Sequence, residues 1–342
     1  MLIVVSLADV SVPLKARRPD GNRSSRVAHI SASFTTTGLS PWHAAVAAIP
    51  CPAWSRGWCA AAASILEATA PKPGNVHPAA AFTDLTYDDL VTAAIAVAPA
   101  VEQAADGSLG LSIRTAVEAA RAATGTNTNL GIVLLIAPLA AVPAGAGLTA
   151  AAVDDILSRL DPADAAEIYR AIAIARPGGM GTVDRWDVAG PPPNDIRVAL
   201  AVAADRDQIA RLWAEGYEPL FAGPVADLAA SLEAGTPLLD AIVRCHVQQL
   251  ARSPDSLIAR RHGAETAADV AARAAGLLAT PDADWPEALG AFDRHLRSPR
   301  RLNPGTTADL VAAALYILLQ AGRLRPFLGI DTSPLPAAKD LP

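Results

Sequence analysis

From residue 57 onward, apolar positions recur at three- and four-residue spacing, in stretches bounded by proline, glycine and short polar residues. That period belongs to helices with one buried stripe. It predicts helices over 57–70, from 86 toward Pro99, and over 109–123, 129–142, 149–160, 163–176, 203–215, 224–234, 236–252, 264–278, 284–297 and 307–321. Several boundaries have a stated cause. Pro71 disfavours helix in the residue before it. Thr86 and Asp89 have the spacing of a capping box, and Asp161-Pro162 places an N-cap before a proline at the first helical position. Only 132–136 has strand-like composition, and it lies inside an apolar stretch of helical length. Neither a βαβ alternation nor an internal repeat is visible.

The expected fold is therefore all-α, a single large multi-helix domain over 53–325 with long glycine/proline loops. Residues 1–52 are rich in serine, arginine and proline without a sustained period. They read as an irregular extension, or as the product of a start codon placed too early; 326–342 read as a tail. Two loops stand out, 177–195 with Gly178-Gly179-Met180-Gly181 and 298–306 with Asn303-Pro304-Gly305. Neither carries GxGxxG or a Walker A lysine pattern.

Composition narrows the class. The 342 residues are 51% hydrophobic but only 4% aromatic, so alanine, leucine and valine fill the core, which suits closely packed helices. The net charge is −6, and the only dense basic cluster past residue 26 is 294–301, read as a solvated face. A nucleic-acid groove is excluded on that ground. Cys51, Cys59 and Cys245 have neither the number nor the spacing of a disulfide framework or zinc site, and a reducing cytoplasm fits. The uncharged run 122–152 has the length of a membrane span, but Pro138, Pro143, Gly145 and Gly147 interrupt it. A buried core helix, with no membrane partner, is the expectation. So apolar a helical surface admits a homodimer.

The segment 71–77, Pro-Lys-Pro-Gly-Asn-Val-His, is the densest chemical signal. Two prolines stiffen the backbone around Lys72, Gly74 permits a turn, and Asn75 and His77 share a side if the chain is extended. Glu67 stands near the end of the first helix, at the unfavourable end of the macrodipole; it is either a solvated glutamate or a site carboxylate. Asp84 is a turn residue or a site carboxylate. Asn127, Thr128 and Asn129 open the most apolar helix, as caps or as readers of a phosphate or ribose. Asp255 with Arg260 and Arg261 forms either a surface ion-pair group or an anion site. Gly305 and Thr306 precede Asp309, with Thr306 or Thr307 the expected N-cap; Asp309 is a first-turn acid or a third site carboxylate. Three such carboxylates would suit Mg²⁺ beside triphosphate oxygens.

Together, Glu67, Pro71-Lys72-Pro73-Gly74, Asp84, the Gly-x-Asn-Thr stretch at 125–128, Asp255 with Arg261, and Pro304-Gly305 with Ala308-Asp309-Leu310 occur in the order seen in triphosphoribosyl-dephospho-coenzyme A synthases, which the chain resembles over roughly 57–325. The resemblance implies an all-helical transferase using ATP and 3′-dephospho-coenzyme A, releasing adenine and forming a new glycosidic bond. By the same resemblance Lys72 and Arg261 would meet phosphates, Glu67, Asp84 and Asp309 would hold Mg²⁺ or face the ribosyl centre, and Asn127 and Thr128 would bind ribose or phosphate. Typical members read Asn-Thr-His-Lys-Gly where this chain has Asn127-Thr128-Asn129-Leu130-Gly131, and they lack Asn75-Val76-His77, so a related acceptor also fits. Two other readings are a Mg-dependent helical hydrolase of an N-glycosidic or nucleotide substrate and a non-catalytic helical nucleotide-binding protein.

Overall fold

Alanine side chains let helix axes approach closely, and the centre of the molecule is one such contact. In the computed structural model, which describes residues 42, 45, 46, 48–126, 128–175 and 185–328, helix follows helix and no sheet forms among the described residues. In chain order the helices are α1 Arg56–Thr69, α2 Tyr87–Glu102, α3 Leu109–Thr124, α4 Leu130–Ala141, α5 Ala150–Ser158, α6 Pro162–Ala175, α7 Ile196–Ala201 and α8 Gln208–Glu215. Next come α9 Glu218–Leu220, a π turn Phe221–Val225 leading into α10 Ala226–Glu233, α11 Leu238–Arg252, α12 Ser256–His262, α13 Ala264–Leu278, α14 Trp285–Arg297, α15 Gly305–Gln320 and α16 Arg325–Leu328.

Helices α1 and α15 are buried along almost their whole length and pack against each other. They run antiparallel: Gln320, ending α15, donates from Nε2 to the Ser55 carbonyl just before α1, at 3.3 Å. The C-terminal end of α1, with Glu67, therefore lies beside the N-terminal end of α15, with Asp309. Helix α4 packs on α15 as the third central element. A smaller core joins Val247 and Leu250 of α11 to Ile258, Val270, Phe292 and Leu296 of α12–α14.

Helix α4 continues through Pro138, which has no N–H for the Leu134 carbonyl. The orphaned oxygen is not left bare. Trp213 Nε1 donates to it at 2.9 Å and Tyr217 Oη approaches it at 3.4 Å. The apolar run around it thus becomes a buried 12-residue helix, and no helix among the described residues is long and apolar enough to cross a membrane.

The structure departs from the sequence pattern at several boundaries. Pro99 does not end α2, because Val97, Ala98 and Val101 remain buried against the core and packing outweighs propensity. Helix α8 begins only at Gln208, where the Asp207 carboxylate accepts from the Ile209 and Ala210 amides. Helices α7 and α12 are short and were not predicted. Trp42, Val46 and Ile49 are buried in the main core, so the irregular reading of 1–52 does not hold for them. The remainder of that segment up to residue 41, the 178–181 glycine cluster and the tail beyond 328 lie outside the described residues.

Candidate active site

Pro71 stops α1 at Thr69, and the chain turns so that Lys72 folds back onto the helix end. Its Nζ lies 2.8 Å from Glu67 Oε1, donates to the Glu67 carbonyl, and reaches the Ala70 carbonyl at 3.3 Å. A cation at a helix C-terminus meets the negative end of the dipole, which removes the penalty that Glu67 alone would carry there. Lys72 is 0% exposed and has three acceptors for its three protons. The expectation that it grips phosphate is therefore corrected: the ammonium is already saturated by the protein and reaches no solvent.

The following residues dock on the loop after α14. Gly74 has φ +77°, and a Cβ there would lie 2.9 Å from both the Leu302 carbonyl and Pro304 Cδ. Its N–H donates to Asp293 Oδ1 at 2.8 Å. Asn75, buried, donates to Asn303 Oδ1 at 2.7 Å, while its carbonyl accepts from Arg297. His77 is half-buried; burial, then the Arg297 charge, lower its pKa. Gly74 and Asn75 thus join the segment 71–77 to the Asn303-Pro304-Gly305 loop. Beneath them His246 of α11 is fully enclosed; burial, then the Lys72 charge, lower its pKa well below the usual histidine range, against an opposing contact with the Pro73 backbone.

Asp309 sits one turn into α15, facing α4 and the end of α1. A Cβ at Gly131 would fall 2.0 Å from Asp309 Oδ2, so only glycine leaves room for the carboxyl at that point of α4. Burial first, then the charges of Glu67 and Asp255, push the Asp309 carboxyl well above the usual carboxylate range; Arg260 opposes that shift and Asp207 adds to it. Arg260 pairs with Asp207, the N-cap of α8. Glu67 is thus paired with a buried cation, whereas the surroundings of Asp309 favour its neutral form.

Asp255 does a different job. One oxygen accepts from the Leu257 and Ile258 amides at 2.9 and 3.0 Å, and the other from the Thr307 amide and hydroxyl at 2.7 and 2.8 Å. It caps α12 and the start of α15 together and is fully buried, so its assignment to substrate binding is corrected to positioning. Thr306 and Thr307 likewise are not the N-cap: α15 begins at Gly305, which packs on Leu257, and both threonines are buried inside the first turn.

On the outer side of the loop, Asp84 is exposed and pairs with Arg301 at 2.5 Å. That hydrogen bond, with the further charge of Arg261, depresses its pKa. The charged groups acting on Asp84 and on Asp309 have no member in common. Arg260 belongs to one set and its chain neighbour Arg261 to the other, so α12 bridges them. Among the described residues no three acidic, histidine or cysteine side chains form a group that could hold a metal. Glu67, Asp84 and Asp309 therefore do not fit a shared Mg²⁺ shell.

At the start of α4, Asn129 is buried but makes no cap hydrogen bond, and its Nδ2 and the Thr128 hydroxyl have no partner. Asn127 lies outside the described residues. Sequence reading missed Asp207, His246 and Arg301. The Asp207-Gln208 step was a legible N-cap and the 294–301 cluster was visible as charge, but nothing local marked His246.

The model of one protein family, CitG, described as ATP:dephospho-CoA triphosphoribosyl transferase, matches residues 53–325. No curated protein matches the chain. Among solved structures, a proposed triphosphoribosyl-dephospho-coA synthase from Archaeoglobus fulgidus is similar with a TM-score of 0.54 and 24% identity, covering 67% of this chain and 98% of that one. At that identity the likeness shows a shared fold.

Proposed function

The chain belongs to the CitG family of ATP:dephospho-CoA triphosphoribosyl transferases, and from that premise we propose that it moves the 5-triphosphoribosyl group of ATP to a hydroxyl of 3′-dephospho-coenzyme A, or of a closely related acceptor, with release of adenine. The observation that carries this reading is the contrast between two neighbouring carboxyls, Glu67 paired with a buried lysine and Asp309 with its pKa raised.

Breaking the bond between adenine and the anomeric carbon leaves positive charge on the ribosyl ring. Glu67 supplies the anion that stabilises it, and Lys72 keeps that anion in place. Asp309 in its neutral form gives a proton to the departing adenine. Once ionised, it takes the proton of the acceptor hydroxyl as the oxygen bonds to the anomeric carbon. The proton count closes: what the acceptor loses, adenine carries away. Asn129 and Thr128 offer unpaired donors to ribose or phosphate oxygens, and Asp255 fixes α12 and α15 so that Arg260 and Asp309 face each other. Mg²⁺ would accompany ATP, and no step is routed through it, because Asp84 belongs to a different charged group from the neighbouring Glu67 and Asp309.

The test is product analysis by mass spectrometry after incubation with ATP and Mg²⁺, with and without 3′-dephospho-coenzyme A. Adenine release that requires the acceptor, with a product carrying the triphosphoribosyl mass, is expected. Adenine release at the same rate without acceptor would instead identify a hydrolase.

A further inference from the structure

Of the arginines in the 294–301 cluster, two fold back over the Phe82 ring: Arg301 with its guanidinium 4.1 Å from the centroid and Arg297 at 5.7 Å. They are not equivalent. Arg297 is spent on both oxygens of Asp293, at 2.9 and 2.8 Å, and on the Asn75 carbonyl. It braces the loop and has little left to offer a ligand.

Arg301 is different. Its backbone lies in the left-handed region at φ 52°, where a non-glycine residue is strained. That strain delivers the side chain onto Phe82 and toward solvent. Its one ion-pair partner is the exposed carboxylate of Asp84, and an exposed pair contributes little. Its buried Nε has no acceptor. Arg261 is exposed, acts on Asp84 by charge, and makes no hydrogen bond or ion pair among the described residues. Two guanidinium groups therefore share one solvent-exposed carboxylate, and the local balance is positive.

The geometry points to a phosphate-chain subsite formed by Arg261 and Arg301, with Asp84 as a resting counter-ion that a substrate phosphate displaces. This inference rests on the reading above only in that both substrates carry phosphate chains. Phosphate brings more charge and more acceptor oxygens than a carboxylate, and guanidinium forks match it bidentately. Phe82 holds Arg301 flat from behind. Arg261 directly follows Arg260, so α12 carries one arginine of the subsite and one that acts on Asp309. Asp84 is thereby recast from a metal ligand to a competitor for the anion.

Calorimetric titration of the full chain tests this without any turnover, using inorganic tripolyphosphate, ATP alone and 3′-dephospho-coenzyme A alone. Arg261→Gln and Arg301→Gln should each weaken tripolyphosphate binding about tenfold or more, the scale of one lost charge-assisted contact. Asp84→Asn should tighten it several-fold, the opposite of what loss of a metal ligand would give. If Asp84→Asn tightens ATP alone, the subsite takes the triphosphate; if it tightens 3′-dephospho-coenzyme A alone, it takes the diphosphate. Either result supports the subsite. Unchanged tripolyphosphate affinity in Arg261→Gln, whose exposed position spares the fold, or weaker binding in Asp84→Asn, would overturn it. Intact tripolyphosphate binding without adenine release would fail the proposed transfer but leave the subsite standing.

Discussion

The Asp309 carboxyl occupies the space that a side chain on residue 131 would need: a Cβ at Gly131 would lie 2.0 Å from Asp309 Oδ2. Glycine inside a helix normally costs about 0.5–1 kcal/mol relative to alanine, so Gly131→Ala would ordinarily stabilise α4. Here the methyl must displace the carboxyl or part α4 from α15. Gly131→Ala is expected to lower the melting temperature and reduce turnover by at least about tenfold. An active variant of raised stability would mean that Asp309 is free to swing away, contrary to the close fit described.

Lys72 and Glu67 form a buried pair, exposed by 0% and 7%. Removing one partner of such a pair leaves an uncompensated buried charge, at about 3–5 kcal/mol. Lys72→Met should therefore destabilise by roughly that amount in urea unfolding, because it also strips the donor from the last carbonyls of α1. Combining it with Glu67→Gln should recover much of the stability and none of the turnover. A double variant no more stable than Lys72→Met would show that the cap on α1, and not the pair, holds this corner.

Asp255 ties two helix starts with one carboxylate, and losing a cap costs about 0.5–2 kcal/mol at each. Asp255→Ala is expected to cost roughly 2–4 kcal/mol by denaturant titration, two caps being lost at once and their donors left buried. Binding of tripolyphosphate to protein that remains folded should change little. A large loss of affinity at unchanged stability would return Asp255 to the list of ligand-binding residues.

The all-helical architecture was legible because α11 and α13 repeat their apolar stripe over three or more turns and α1 is apolar almost throughout. Several residues of the candidate site stood out as well, since Glu67, Gly74, Asn75, Arg260 and Asp309 stand where the chain breaks its own alanine pattern. What the sequence could not convey was the direction of each side chain. Lys72, between two prolines, looks outward on paper; only the turn after Ala70 aims it at α1. Asp255 looks like an anion partner beside Arg260 and Arg261, but its acceptors are filled by Thr307, 52 residues away. Arg301 was indistinguishable from its solvated neighbours until its left-handed backbone laid it on Phe82. Long-range pairing, which periodicity does not encode, decided each of these.

The raised pKa of Asp309 makes a signed prediction for pH. In the folded state this carboxyl stays protonated at pH values where it is ionised in the unfolded chain, so over that interval the native state binds more protons. Its contribution to stability is complete below the ordinary carboxylate range and is lost as pH rises toward the folded pKa. Asp309→Asn removes that loss, so the variant should gain stability relative to wild type as pH increases, read from melting temperatures across the range. Because the start of α15 is tied by Asp255 and not by Asp309, the substitution leaves folding otherwise intact. Turnover should vanish in Asp309→Asn, and in the wild type it should fall on the alkaline side as the acid proton is lost. A stability difference that does not vary with pH would mean that Asp309 titrates alike in both states, and the assignment of the general acid would fall with it.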